Sequence, residues 1–246
     1  MGKLDNKVAI VTGSTSGIGE AIAREYVHEG ATVVITGRNI EKGEAITEDI
    51  KATGGSAIFV ACDTSIESDI INLVDITIQK YGRLDILINN AGLFFTKPLE
   101  ETSSLEWDNM FDINVRGYML VSKYALPHLI KSGNGAIINN SSVAGMLSYA
   151  SGQSYAYSAS KAAVIQLSRV MAKNYAKDHI RVNVICPGII KTPIFGGRDI
   201  SHAVAKIPIG RIGLAEDVAK AATFLASNDA DYITGIVLPI DGGLSI

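Results

Sequence analysis

Residues 7–20 read Lys7-Val8-Ala9-Ile10-Val11-Thr12-Gly13-Ser14-Thr15-Ser16-Gly17-Ile18-Gly19-Glu20, and the order of residue types in this stretch decides the fold. The apolar, β-branched run at 7–12 is the pattern of a short buried strand. A Gly-x-x-x-Gly-x-Gly turn follows, and residues 20–29 then carry helical periodicity. Strand, glycine turn and helix in that order provide the context of a dinucleotide-binding turn. The glycines let the chain turn tightly and let a phosphate approach the backbone. The helix start supplies unpaired N–H groups and a positive dipole end. Gly13, Ser14, Thr15, Ser16, Gly17, Ile18 and Gly19 are therefore candidates for a phosphate cradle.

Working outward, apolar runs at 31–36, 56–61, 84–88, 135–140, 180–186 and 236–240 read as further strands. Amphipathic stretches at 40–53, 66–81, 103–130 and 215–227 separate them, as does a run rich in small residues that begins near Ala156. Such alternation predicts an α/β fold: a single-domain Rossmann-type doubly wound parallel sheet of about seven strands with helices on both faces. Residues 103–130 read as a long helical stretch, capped by Ser103 with Glu106 three positions on. Residues 189–214 read as a long substrate loop with a short helix near 200–206, as lids often are. No repeat or linker interrupts the chain, which predicts one domain over 1–246.

Composition narrows the class. The 246 residues are 47% hydrophobic, with 24 glycines and a net charge of −3, the profile of a globular protein with a large core. No basic block suggests nucleic acid, and no apolar run approaches the roughly 20 residues that cross a bilayer. The N-terminus leads directly into the first strand and does not read as a signal peptide. Cys62 and Cys186 stand alone among apolar neighbours, which points to buried thiols and a cytoplasmic location. His28, His128, His179 and His202 have no metal-ligand spacing and read as surface or packing residues.

In parallel α/β sheets ligands bind at the carboxyl ends of strands, and the chemistry-bearing residues gather at those ends. Strand two ends in Thr36-Gly37-Arg38-Asn39, with no carboxylate for an adenosine ribose. A guanidinium there suits a 2′-phosphate, so NADP(H) is favoured over NAD(H). Asp63 and Thr64 end strand three, where a polar group can meet adenine. Asn89-Asn90-Ala91-Gly92 ends strand four, and Ser141-Ser142 ends strand five. A hydroxyl there can stabilise negative charge on a carbonyl oxygen. Asn114 sits inside a helix, where its amide competes for backbone bonds. Read alone, it is a satisfied buried amide. Tyr157-Ser-Ala-Ser-Lys161 places a phenol and an ammonium on one helix face. A nearby positive charge lowers a phenol pKa from its usual value of about 10, and a phenol so tuned can exchange protons with an alcohol.

In combination these motifs make the chain, from Lys7 to its end, resemble the short-chain dehydrogenase/reductase family. Thr12-Gly13-x-x-x-Gly17-Ile18-Gly19 is similar to the family's cofactor turn, and Asn89-Asn90-Ala91-Gly92 to its strand-four motif. Tyr157-x-x-x-Lys161 is similar to its catalytic pair. Pro187, Gly188, Ile190 and Thr192 fall in the segment that holds the nicotinamide carboxamide. The resemblance implies Tyr157 as general acid/base and Ser142 as the group orienting the carbonyl. It implies that Lys161 binds the nicotinamide ribose and depresses the Tyr157 pKa, and that Asn114 holds a water linking Lys161 to solvent. Gly37-Arg38 resembles NADP-preferring members. A homotetramer built through 103–130 and 157–176 is also implied. The segment from Ser142 to Tyr157 is slightly longer than in many relatives, so substrate preference is read from the residues themselves. Phe94, Phe95, Met146, Leu147, Tyr149, Ile189, Ile190 and Phe195 suggest a hydrophobic ketone or secondary alcohol. The alternative, a 3-oxoacyl-[acyl-carrier-protein] reductase, calls for a basic patch from Lys123, Lys131, Arg169 or Lys173 near the cleft.

Overall fold

The computed structural model describes residues 2–148, 153–196 and 199–246. Seven strands form one sheet in the order β3-β2-β1-β4-β5-β6-β7. They are β1 (Val8–Val11), β2 (Thr32–Gly37), β3 (Ser56–Ala61), β4 (Ile86–Asn89), β5 (Gly135–Asn140), β6 (Ile180–Pro187) and β7 (Val237–Ile240). Every pairing is parallel. Each strand must therefore be reached by a crossover, and the crossovers place helices on both faces. Every residue of β1, β4, β5 and β6 is buried, which explains why these strands are mostly apolar rather than alternating.

The helices are α1 (Gly17–His28), α2 (Ile40–Ala52), α3 (Glu67–Tyr81), α4 (Ser104–Phe111), α5 (Gly117–Ser132), α6 (Tyr155–Tyr175) and α7 (Ala215–Ala226). On one face Ile22 and Tyr26 of α1 and Val218 and Leu225 of α7 pack against Val11, Val33 and Ile138. On the other face Ile70 and Leu73 of α3 and Val121 and Leu129 of α5 pack against Ile10, Leu87 and Ile137. The order of strands reverses between β1 and β4, because the chain winds out to β3 and then restarts on the far side of β1. That reversal opens a crevice at the carboxyl ends of the two strands.

The long helical stretch expected over 103–130 is present and carries a change of winding within it. The capping box at Ser103 and Glu106 starts α4 as the sequence indicates. A π-helical turn over Asp112–Arg116 then separates α4 from α5, with Asn114 inside it. Such turns widen a helix by one residue and recur at functional sites. The loop at 189–214 contains a short 3₁₀ helix at Ser201–Lys206, as expected, and a second at Pro193–Phe195. At the sheet's outer edge, β7 pairs Pro239 with Cys186, and Pro239 itself is exposed.

Candidate active site

The cradle forms where β1 gives way to α1. Gly13 adopts a left-handed φ of 63°, and a Cβ there would lie 2.7 Å from the Ala91 Cα. A Cβ on Gly19 would lie 2.3 Å from the Gly13 carbonyl oxygen and 2.4 Å from Asn90 Nδ2. Only glycine permits these approaches, so the turn presents bare backbone at the start of α1. Asn90 locks the turn by donating to the carbonyls of Thr12 (3.0 Å) and Gly13 (3.1 Å). Thr12 Oγ1 accepts from the backbone N–H groups of Asn90 (2.8 Å) and Ala91 (3.0 Å). These residues fit a dinucleotide phosphate: bare backbone, a helix start and side chains tied back out of the way.

A cleft of about 1050 Å³ runs from this cradle across the sheet ends. Gly13, Thr15, Ser16, Gly17, Ile18, Gly19, Arg38, Asp63, Thr64, Asn90, Ala91 and Gly92 line it on one side, and Pro187, Gly188, Ile190 and Thr192 on the other. Ser14 is the exception among the expected cradle residues. It is fully buried, donates to the Val11 carbonyl (2.6 Å) and accepts from the Thr36 N–H (2.9 Å). It staples β1 to β2 and turns away from the cleft. At the adenosine end Arg38 and Asp63 come within 3.8 Å, with the Arg38 side chain 73% exposed. Asp63 also accepts from the Ser65 N–H (3.0 Å) and hydroxyl (2.7 Å).

The other end of the cleft holds Ser142, Tyr157 and Lys161. Gly145 lets the loop after Ser142 press onto α6, because a Cβ there would sit 2.6 Å from the Lys161 carbonyl carbon. Ser142 Oγ accepts from the Ala144 N–H (3.1 Å), and its hydroxyl is near enough to Tyr157 to favour the phenolate. Phe94 meets the Tyr157 ring edge-on at 4.9 Å. Lys161 Nζ donates to the Asn140 carbonyl (2.8 Å) and lies 5.7 Å from the centre of the Tyr157 ring. Asn114 is wholly buried and spent on its neighbours. Its Oδ1 accepts from the Leu93 N–H (2.8 Å), and its Nδ2 donates to the Leu93 carbonyl (3.0 Å) and to Ser160 Oγ (3.0 Å). Its side chain therefore anchors the Gly92-Leu93 turn to α6, and Ser160 extends the link by donating to the Tyr157 carbonyl (2.7 Å).

The electrostatics correct one expectation. The Tyr157 pKa is not depressed: burial pushes it above its usual value, and the Ser142 hydroxyl opposes that only in part. The Lys161 ammonium lies over the ring at 5.7 Å from its centre, and desolvation remains the largest influence. Burial acts on Lys161 too, bringing its pKa down to about 8.

Of the apolar residues expected at the substrate, Phe94, Ile189 and Ile190 line the cleft. Phe95, Met146 and Leu147 are not among its described lining residues. Tyr149 and the side chain of Phe195 lie outside the described part of the chain. The cleft also takes in Thr96, Asn109, Ile113 and His202, which sequence reasoning passed over. His202 is exposed, as expected, and the loop helix at Ser201–Lys206 carries it to the cleft. Asn109 and Ile113 carried a usable signal, since they lie one turn apart on the helical stretch that holds Asn114. None of Lys123, Lys131, Arg169 and Lys173 lines the cleft.

A parallel sheet with a glycine cradle and a Tyr/Lys/Ser cluster at one crevice defines a class, the nicotinamide-dependent oxidoreductases. Comparison with known proteins agrees. A family profile described as enoyl-(acyl carrier protein) reductase matches residues 13–245. The 2,5-dichloro-2,5-cyclohexadiene-1,4-diol dehydrogenase LinX of Sphingobium indicum is 40% identical, over 99% of this chain and 98% of its own. The 3-oxoacyl-[acyl-carrier-protein] reductase FabG of Thermotoga maritima is 36% identical, over 99% and 100%. The meso-2,3-butanediol dehydrogenase of Serratia marcescens is 37% identical, over 98% and 95%. The chain belongs to the short-chain dehydrogenase/reductase family, and it is an oxidoreductase of alcohol and carbonyl groups.

Proposed function

We propose that this protein interconverts a hydrophobic ketone and its secondary alcohol with NADP(H), using Tyr157 as general acid and base. The observation that carries the reading is that Ser142, Tyr157 and Lys161 share one cleft with the glycine cradle. Gly13 to Gly19 would hold the pyrophosphate, Pro187, Gly188, Ile190 and Thr192 the carboxamide, and Lys161 the nicotinamide ribose. When bound, the nicotinamide supplies or takes up the hydride. In reduction Tyr157 gives its proton to the carbonyl oxygen, while the Ser142 hydroxyl donates to that oxygen as charge develops. Ser142 and the Lys161 ammonium then steady the phenolate left behind. In the reverse direction the phenolate takes the alcohol proton. Asn114 holds the framework through Leu93 and Ser160, and its assignment to a water relay remains part of this proposal.

The raised Tyr157 pKa keeps the phenol protonated at neutral pH, which suits carbonyl reduction. Oxidation then requires the phenol to ionise, so its rate should rise with alkaline pH. Leu93, Phe94, Ile113, Val143 and Ile189 give the substrate half an apolar wall. Arg38 is the group offered to a 2′-phosphate, with Asp63 at 3.8 Å moderating its charge. The absence of Lys123, Lys131, Arg169 and Lys173 from the cleft weighs against an acidic carrier protein as substrate. Exposed apolar residues on α4, α5 and α6 support assembly as a homotetramer.

The test is initial-rate oxidation of NADPH and of NADH against bulky ketones and one 3-oxoacyl thioester. We expect faster turnover with NADPH and with the ketones, and loss of turnover in Tyr157→Phe with cofactor binding retained. Equal rates with NADH would remove Arg38 from the phosphate role. Preference for the thioester would move the substrate to acyl carriers.

A further inference from the structure

Tyr118 is fully buried on α5 and is one of the largest side chains in the core, yet it ends in a polar group beside the site. Its hydroxyl donates to the Asn140 carbonyl oxygen (3.1 Å), the same atom that accepts from Lys161 Nζ (2.8 Å). Lys161 Nζ also donates to Tyr118 Oη at 3.4 Å and lies 5.3 Å from the centre of the Tyr118 ring. The three polar atoms form a closed triangle, in which Asn140 lines the cleft and Tyr118 does not. Lys161 itself is 4% exposed, so what surrounds the ammonium decides whether it stays charged.

Resting on the reading of Lys161 as the ribose-binding lysine, we propose that Tyr118 is a positioning residue that keeps the Lys161 ammonium charged and turned toward the cleft. An ammonium has three donors and no acceptor. Asn140 and Tyr118 engage two of them, which leaves the third for the cleft. The ring adds its negative face to the same cation. Other titratable groups facing Lys161 are Tyr157 from its own helix and Cys186 from β6; Asp241, at the end of β7, acts on Cys186. Tyr118 therefore supplies from α5 an acceptor for the charged form. Removing it destabilises the ammonium and leaves the neutral amine unaffected, so the lysine should lose its proton at lower pH.

The experiment follows binding of NADPH and NADH by nicotinamide fluorescence between neutral and alkaline pH. It uses Tyr157→Phe as the background, so that the Tyr157 phenol does not titrate. Binding should weaken as Lys161 deprotonates. Adding Tyr118→Phe, which keeps the ring, should move that midpoint down by about one unit, the scale of one lost hydrogen bond to a charged group. An unchanged midpoint overturns the proposal. Adding Lys161→Met instead should abolish the pH-dependent limb. A limb that survives Lys161→Met defeats the reading of Lys161 and this proposal with it, whereas a limb that vanishes there but ignores Tyr118→Phe defeats this proposal alone. Thermal unfolding establishes that each variant folds. Tyr118→Met, which also removes the hydroxyl, replaces Tyr118→Phe if the latter does not.

Discussion

Burial brings the Lys161 pKa from 10.5 to about 8, and the shift has a thermodynamic counterpart. Between those values the unfolded chain holds a proton that the folded chain has released. Stability therefore rises with pH through that window, and below it the penalty for the buried charge is present in full. A shift of this size corresponds to about 3 kcal/mol. Lys161→Met should accordingly raise the thermal midpoint at neutral pH by several degrees, even as it removes activity. The Asn140 carbonyl keeps the Tyr118 hydroxyl as a donor, so the substitution orphans no acceptor there. Scanning calorimetry checks this: the gain should shrink as pH approaches 10.5, and a lower midpoint at neutral pH would contradict it.

At the scale of elements, a polar ladder crosses the second core face between α5 and α6. Asn89 Nδ2 donates to Ser122 Oγ on α5 (3.0 Å) and to Asn139 Oδ1 on β5 (2.8 Å). Asn139 Nδ2 donates to Ser168 Oγ on α6 (2.7 Å). The ladder fixes the axial position of the helix that carries Tyr157 and Lys161. Asn139→Ala leaves the Asn89 amide without one acceptor inside the core and should cost about 2 kcal/mol, read as a lower denaturation midpoint with an unchanged slope. Such links explain what the sequence discloses and what it hides. The strands and the α1 turn were legible because burial on both faces and glycine spacing are local patterns. The π-helical turn at Asp112–Arg116 was not, because Asn114 is held by Leu93 and Ser160, contacts that only the folded chain creates. The outward turn of Ser14 was hidden for the same reason: its partners are Val11 and Thr36. His202 stood out in no motif, since its place in the cleft depends on the path of a long loop.

For the whole molecule, α4 to α6 carry exposed apolar side chains. Leu105 is 69% exposed, Val170 49%, Met119 40% and Ile130 39%. Where such side chains cluster they mark an interface between proteins. We expect sedimentation velocity to show an oligomer and Val170→Glu to shift it toward monomer; a wild-type monomer at micromolar concentration would contradict this. The two ends of the sheet pose a different problem, because an open strand edge can recruit a strand from a stranger. On β7 the Ile236 and Ile240 carbonyls are taken by β6, so the intervening Pro239 turns its backbone nitrogen outward. That nitrogen has no hydrogen to offer. The border of the sheet thus lacks a donor where an incoming chain would begin to zip. The placement guards against runaway edge-to-edge aggregation without disturbing the ladder within.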